Sequence, residues 1–228
     1  MDNHMTQPDE LRIDALFQPG HTLAWEFLLR YAWLWEALPD IGDYINECGT
    51  ALNISEYDTP CDSVWIHKTA TVAPSAYIGS NVIICAGANV RHCAYIRGNA
   101  LVGVNALVGN STELKNAILF DGAQVPHFNY VGDSILGYKS HLGAGAITSN
   151  VKSDHSPVCV ICGDTRICTD LKKFGAILGD FVEIGCNSVL NPGSIIGSHA
   201  TVYPLSMVRG YVPSGFIYKR RGEIAKKS

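Results

Sequence analysis

Charge is scarce in this chain: 17% of its 228 residues are charged, against roughly 25% in an average soluble domain. It also lacks a basic excess, with 17 Lys and Arg against 21 Asp and Glu and a formal net charge of −4. Nucleic-acid binding is thereby disfavoured, because it needs a basic face to neutralise phosphates. No apolar run approaches the roughly 20 residues of a membrane span. The opening Met1-Asp2-Asn3-His4 is polar and acidic, unlike a secretion signal, so a cytoplasmic globular chain is expected. Zinc spacing is missing as well, since Cys159-Val-Ile-Cys162 is the one CxxC and no second pair completes four ligands. A chain of this length without a secretion signal has little need of a disulfide framework, so the eight cysteines are expected reduced. Cys85, Cys93 and Cys186 lie in apolar patterns where a thiol packs as a small hydrophobe.

Apolar residues (47%) and glycine (22 of them) are not scarce. That composition is too apolar for disorder and too rich in glycine for a helical bundle. Its pattern is a repeat. From Ile66 an aliphatic returns every sixth residue through Val72, Ile78, Ile84, Val90, Ile96, Val102, Val108 and Leu114. The phase slips near Lys115–Leu119 and resumes at Leu119, Val125 and Val131, then at Leu136 and Leu142 after a five-residue step. It returns at Leu178, Ile184, Leu190, Ile196, Val202 and Val208. A period of six matches neither a helix nor a long strand. It predicts a mainly β fold, a parallel β-helix with short strands on three flat faces, each strand giving one aliphatic to the axis. Periodicity alone does not set its hand.

Three segments stand outside the repeat. Residues 1–60 are read as a helical N-terminal cap over the first coil, with one amphipathic helix from Thr22 to Leu38 and a second over Asp40–Cys48, closed by Gly49. Within the 61–213 solenoid, the hexads stop over about 151–172. Val158–Cys162 and Thr165–Cys168 read as a protruding hairpin turning at Gly163-Asp164. Residues 214–228 form a basic C-terminal tail, in which Tyr218-Lys-Arg-Arg221 suits either a phosphate partner or a solvated end.

His127 occupies a non-axial position in Val125-Pro-His-Phe-Asn-Tyr130, so its imidazole is expected to point off the prism. Position alone leaves it open between a surface histidine and a general base.

The runs Glu113-Leu-Lys115, Val125-Pro-His127-Phe-Asn-Tyr130-Val-Gly-Asp133, Leu142-Gly-Ala-Gly-Ala-Ile-Thr-Ser-Asn150 and Lys173-Phe-Gly-Ala-Ile-Leu-Gly-Asp180 carry a resemblance. Together they resemble the acetyltransferase domain of bifunctional N-acetylglucosamine-1-phosphate uridyltransferases, with the insertion more like the archaeal-type sugar-1-phosphate nucleotidyltransferase/acetyltransferase branch. The resemblance covers roughly Ile66 to Val212. It implies a left-handed β-helix, a homotrimer, acetyl-CoA as acyl donor and no metal. By resemblance His127 is the catalytic base, Arg97 and Lys115 hold the sugar phosphate, and Tyr130 and Asn150 contact the sugar. Lys173 matches a lysine brought from a neighbouring subunit, while Ala144 and Cys186 match contacts to CoA. This chain departs from the bacterial pattern with His141 in place of asparagine, Val151 in place of tyrosine and Cys186 in place of serine.

The expected function is N-acetylation of an amino-sugar 1-phosphate such as glucosamine 1-phosphate. Residues 1–60 contain no Gly-rich phosphate loop between strand and helix, so nucleotidyltransferase activity is expected to be absent. Alternatives are a non-catalytic trimeric scaffold or regulator of nucleotide-sugar metabolism, and an acyltransferase for a different sugar or nucleotide sugar. A zinc lyase on the same scaffold ranks low, because His67, His92, His127, His141 and His199 show no closely spaced pair.

Overall fold

The computed structural model describes residues 8–227, so the reading of Met1–His4 lies outside the described residues. From Val64 the chain winds as a parallel β-solenoid whose strands stack in three columns. The first face stacks Asn89–Val90, Leu107–Asn110, Gln124–His127, His141–Leu142 and Glu183–Ile184, among others. Long strands at Tyr77–Ile84, Tyr95–Val102, Glu113–Leu119 and Tyr130–Leu136 bend round a corner, and each serves both the second and third faces. Each hexad aliphatic fills the axis: Val108, Val125, Ile96, Leu114, Val131, Leu119 and Leu136 are fully buried in one core cluster.

The phase slip has a structural counterpart. The ladder pairs Ile96 with Leu114 but Gly98 with Lys115, so one residue is dropped at the corner between the second and third faces. The later five-residue step, from Val131 to Leu136, crosses the same corner one coil on.

The three faces differ in what they turn outward. The first shows polar groups such as Asn89, Gln124, His141 and Glu183. The third turns out Ile83, Leu101, Ile118, Ile135, Ile177 and Ile195, which are 0–1% exposed because other segments cover them. Covering each such side chain is worth roughly 1.5–3 kcal/mol, so this seam is a second core.

That seam corrects three expectations. The helices of the N-terminal segment do not close the first coil; its Val64–His67 strand is edged instead by the antiparallel pair Tyr57–Asp58, and Ile66, Val72 and Ile78 remain only partly buried. It lies along the third face, with Leu16, Phe17, Leu28, Trp35, Leu38, Ile41 and Ile45 in the seam. Thr22–Leu38 is not one helix but a turn of helix at Trp25–Leu28 and a 3₁₀ stretch at Leu34–Asp40. The helix expected over Asp40–Cys48 forms at Ile41–Thr50 and runs through Gly49. The Trp65 ring packs so closely there that a Cβ on Gly49 would stand 2.4 Å from it.

The hairpin Cys159–Cys162/Thr165–Cys168 forms with the expected pairing, but it does not protrude. Val158, Val160 and Ile167 are buried with Ile195, so the hairpin folds back over the later coils of the third face. The basic tail is likewise structured. Phe216–Arg220 is the last strand of the first face, and Glu223–Lys226 returns antiparallel along it. Glu223 there pairs with Arg220 at 2.6 Å and Lys219 at 3.7 Å. Among the described residues no helix is long and apolar enough to cross a membrane.

Candidate active site on the second face

The second face is bordered by two corners, and the predicted site residues divide between them. At the leading corner His127 is exposed at the end of Gln124–His127. Phe128 beside it takes a φ of 52° to turn the chain. His127 is anchored through its backbone: its N–H donates to Asn129 Oδ1 at 3.0 Å, and its carbonyl accepts from Gly145 N–H at 3.0 Å. Asn129 is buried and donates to the carbonyls of Gly143 and Ala146 at 2.8 and 3.0 Å, knitting this corner to the turn of the next coil. Gly145 suits that turn because its φ is +72°.

Ala144 and Cys186 continue the same edge. The Ala144 carbonyl accepts from Asn187 N–H at 2.8 Å, and that of Cys186 accepts from Leu205 N–H at 2.9 Å. Gly143 and Gly145 direct their N–H groups to Ile184 and His127. Among the described residues the N–H groups of Ala144 and Cys186 have no backbone acceptor. Two free donors one coil apart suit an extended ligand carrying carbonyl groups along the edge. Cys186, and Cys93 on another coil, are exposed rather than packed as small hydrophobes, because each precedes or forms a corner; Cys85 alone of the three is buried.

Lys115 and Asn150 gather at the trailing corner, where Tyr130 reaches them. Asp133, 4% exposed, is their common partner. Lys115 Nζ meets its two carboxylate oxygens at 2.8 and 2.9 Å, Asn116 Nδ2 donates to it at 3.0 Å, and Asn150 Nδ2 at 2.5 Å. Asn150 Nδ2 also donates to the Tyr130 hydroxyl at 3.2 Å. Burial, and then the charge of Asp133, raises the Tyr130 phenol above its ordinary value, so it stays a neutral hydroxyl. The Tyr130 ring lies across Gly132, where a Cβ would come within 2.4 Å of the hydroxyl. One coil earlier, Arg97 pairs with Glu113 at 3.0 Å, and that hydrogen bond raises the guanidinium's already high pKa.

Lys173 lies at the far end of the insertion, exposed, next to Phe174, whose N–H donates to the Asn150 carbonyl at 2.9 Å. Gly175 N–H donates to the Asp133 carbonyl at 2.8 Å, so both ends of the insertion are fastened to this corner.

Sequence reasoning thus finds residues that lie at both corners of one face, and it misses what holds them. Asp133, Asn129 and Thr148 enter the sequence reading only as members of the motif runs, with no role assigned. Two signals were present: the second five-residue step falls on Gly132-Asp133, and Thr148 occupies an axial slot where the repeat calls for an aliphatic. Thr148 is fully buried, its hydroxyl accepting from Gly132 N–H at 3.0 Å and lying 3.1 Å from that of Ser134. His141 sits on the first face with Nδ1 2.8 Å from Glu183. Among the described residues no group of three or more His, Cys, Asp or Glu is arranged to hold a metal ion.

This chain is similar to several known proteins. The family described as the GMPPB C-terminal domain matches residues 86–196. Among solved structures, the acetyltransferase domain of PglB from Neisseria gonorrhoeae, in complex with acetyl coenzyme A, is 21% identical with a TM-score of 0.32, covering 68% of this chain and 53% of that one. The bifunctional protein GlmU of Methanococcus vannielii is 36% identical over 135 residues, 59% of this chain and 32% of that protein. The bifunctional sugar-1-phosphate nucleotidylyltransferase/acetyltransferase of Sulfurisphaera tokodaii is 32% identical over 126 residues, 55% of this chain and 31% of that protein. The chain spans about a third of the length of these curated relatives. Over rather more than half of its own length it is similar to bifunctional GlmU and sugar-1-phosphate nucleotidylyltransferase/acetyltransferase proteins.

Proposed function

We propose that this chain is an acetyl-CoA-dependent acyltransferase acting on a sugar phosphate, N-acetylating an amino-sugar 1-phosphate such as glucosamine 1-phosphate. The observation that carries the reading is the hydrogen bond from Gly145 N–H to the His127 carbonyl, which brings the backbone of an exposed histidine beside the Gly143-Ala144-Gly145 turn of the next coil. In this reading acetyl-CoA lies along the leading edge past Ala144 and Cys186, and the acceptor amine faces His127. The imidazole takes the amine proton as nitrogen attacks the thioester carbonyl. The oxyanion formed is met by a backbone N–H, for which Ala144 has the free one. Collapse expels the CoA thiolate, which is then protonated, and leaves the amide. No metal is required.

Tyr130 and Asn150 hold the sugar in this account, with Arg97, Lys115 and Lys173 near its phosphate. We read the second face as the subunit contact of a homotrimer, because it turns out Tyr77, Tyr95 and Met207, all at least 44% exposed, beside an exposed Phe128. A second copy of this chain covers such a face, and the subunit boundary then runs along the site.

A second reading, an acyltransferase for a different sugar, is favoured by one observation. Lys115 and Arg97 already pair with Asp133 and Glu113, so a phosphate at this corner must compete with two carboxylates. Thiol release from acetyl-CoA separates the two readings across a panel of amino-sugar 1-phosphates, unphosphorylated amino sugars and nucleotide-linked amino sugars. Turnover with glucosamine 1-phosphate above the others supports the first reading, and preference for another acceptor supports the second. Absence of release with every member overturns both.

A further inference from the structure

The inserted hairpin holds a pair of thiols that acyl transfer does not use. Cys159 and Cys168 stand opposite each other in the antiparallel ladder, with Sγ atoms 3.0 Å apart. The turn at Gly163-Asp164 makes Cys162 and Thr165 the closing hydrogen-bonded pair, and Thr169 N–H donates to the Val158 carbonyl at 3.1 Å. Hydrogen-bonded pairs alternate along such a ladder, which makes Cys159 and Cys168 a non-hydrogen-bonded pair. Cα atoms in that position are about 4.5 Å apart, inside the range a disulfide spans. The CxxC partner Cys162 is not available, because residues three apart on a strand face opposite sides.

The surroundings favour reaction. Cys168 is exposed and Cys159 partly so, and Arg166 Nη2 lies 3.5 Å from Cys159 Sγ. The hydrogen bond from Cys168, and then Arg166, hold the Cys159 thiol below its usual range, while the Cys168 thiol is raised as the donor. Cys159 is also in the wall of a cavity of about 620 Å³, with Lys152, Arg166, Asn191 and Arg209, between the insertion and the solenoid.

We propose that Cys159 and Cys168 are a redox modification site, a reversible dithiol that a hydroperoxide converts to a disulfide. The Cys159 thiolate attacks the peroxide oxygen, forming S–O as O–O breaks and releasing alcohol, or water from hydrogen peroxide. Cys168 sulfur then attacks the sulfenic sulfur, S–S forms as S–O breaks, and water leaves with the Cys168 proton. Two thiols are oxidised and one peroxide is reduced. The bond fastens the open end of the hairpin and takes the Cys159 thiol beside Arg166 out of the cavity wall. An external thiol reverses it by exchange.

The test uses the full chain. Reduced protein is treated with hydrogen peroxide, remaining thiols are alkylated, and cysteines are mapped by peptide mass spectrometry. The expected product is a peptide cross-linked between Cys159 and Cys168 that dithiothreitol reverses. In Cys168→Ser the expected product is Cys159 sulfenic acid, captured by dimedone. If Cys93 and Cys186 lose their thiols while Cys159 and Cys168 both remain alkylated, the proposal is overturned. The wild-type map decides this even where a variant folds poorly.

Discussion

Lys115 Nζ sits 2.8 Å from a carboxylate oxygen of Asp133 one coil above it, at a corner where the solenoid drops one residue. The side chains are 24% and 6% exposed. Removing one member of so buried a pair leaves the other charge uncompensated, at a cost of about 3–5 kcal/mol. Lys115→Ala is therefore expected to lower stability by that order in denaturant melts. Lys115→Ala with Asp133→Asn recovers a large part of it. Equal losses in the single and double variants would show that the ion pair does not organise this corner.

Gly132 matters because the Tyr130 ring lies over it. Gly132→Ala is expected to push the phenol off Asn150 and to raise KM for the acceptor more than KM for acetyl-CoA. An equal rise in both would place Tyr130 outside the acceptor site.

Asp180 carries a pH dependence. It accepts Gln18 N–H at 2.7 Å and Tyr138 N–H at 2.8 Å, which ties the N-terminal segment to the solenoid. Burial outweighs those bonds and lifts its carboxyl above 3.8. The folded chain then holds this proton more tightly than the unfolded chain. Asp180 thus contributes stability below 3.8 that is lost as pH rises through the raised value. Thermal melts of Asp180→Asn and wild type are expected to shift in the variant's favour from 3.8 toward neutral pH. A shift the other way contradicts the sign.

The second and third faces are expected to respond differently. Ile135 is fully buried in the seam, and Ile135→Ala should cost about 2–5 kcal/mol. Tyr95 is 44% exposed on the second face. If the second face is the proposed subunit contact, Tyr95→Glu should lower the mass in light scattering to that of a folded monomer. An unchanged mass removes the second face as the subunit contact.

The solenoid was legible because its repeat is a steric rule: one aliphatic per strand must reach the axis, and Val108, Val125 and Leu142 do so where hexads place them. The seam was harder to read. Val82-Ile-Ile84, Ala117-Ile-Leu119 and Ser194-Ile-Ile196 each carry a middle aliphatic that the axis does not need, and that surplus was the trace of a covered face. Once the third face is apolar on the outside, a broken N-terminal segment and a hairpin lying flat both follow. In the site, residue types were legible from motifs, whereas Asp133 was hidden because its partners come from different coils. Only the stacking brings Lys115, Asn116 and Asn150 to one carboxylate.

The most direct measurement is the rate of CoA thiol release from acetyl-CoA with glucosamine 1-phosphate, in wild type and in His127→Ala. With His127 as general base, the variant retains its fold and its affinity for CoA and loses roughly 10²–10⁴-fold in kcat. A folded His127→Ala protein that turns over at the wild-type rate would contradict the account.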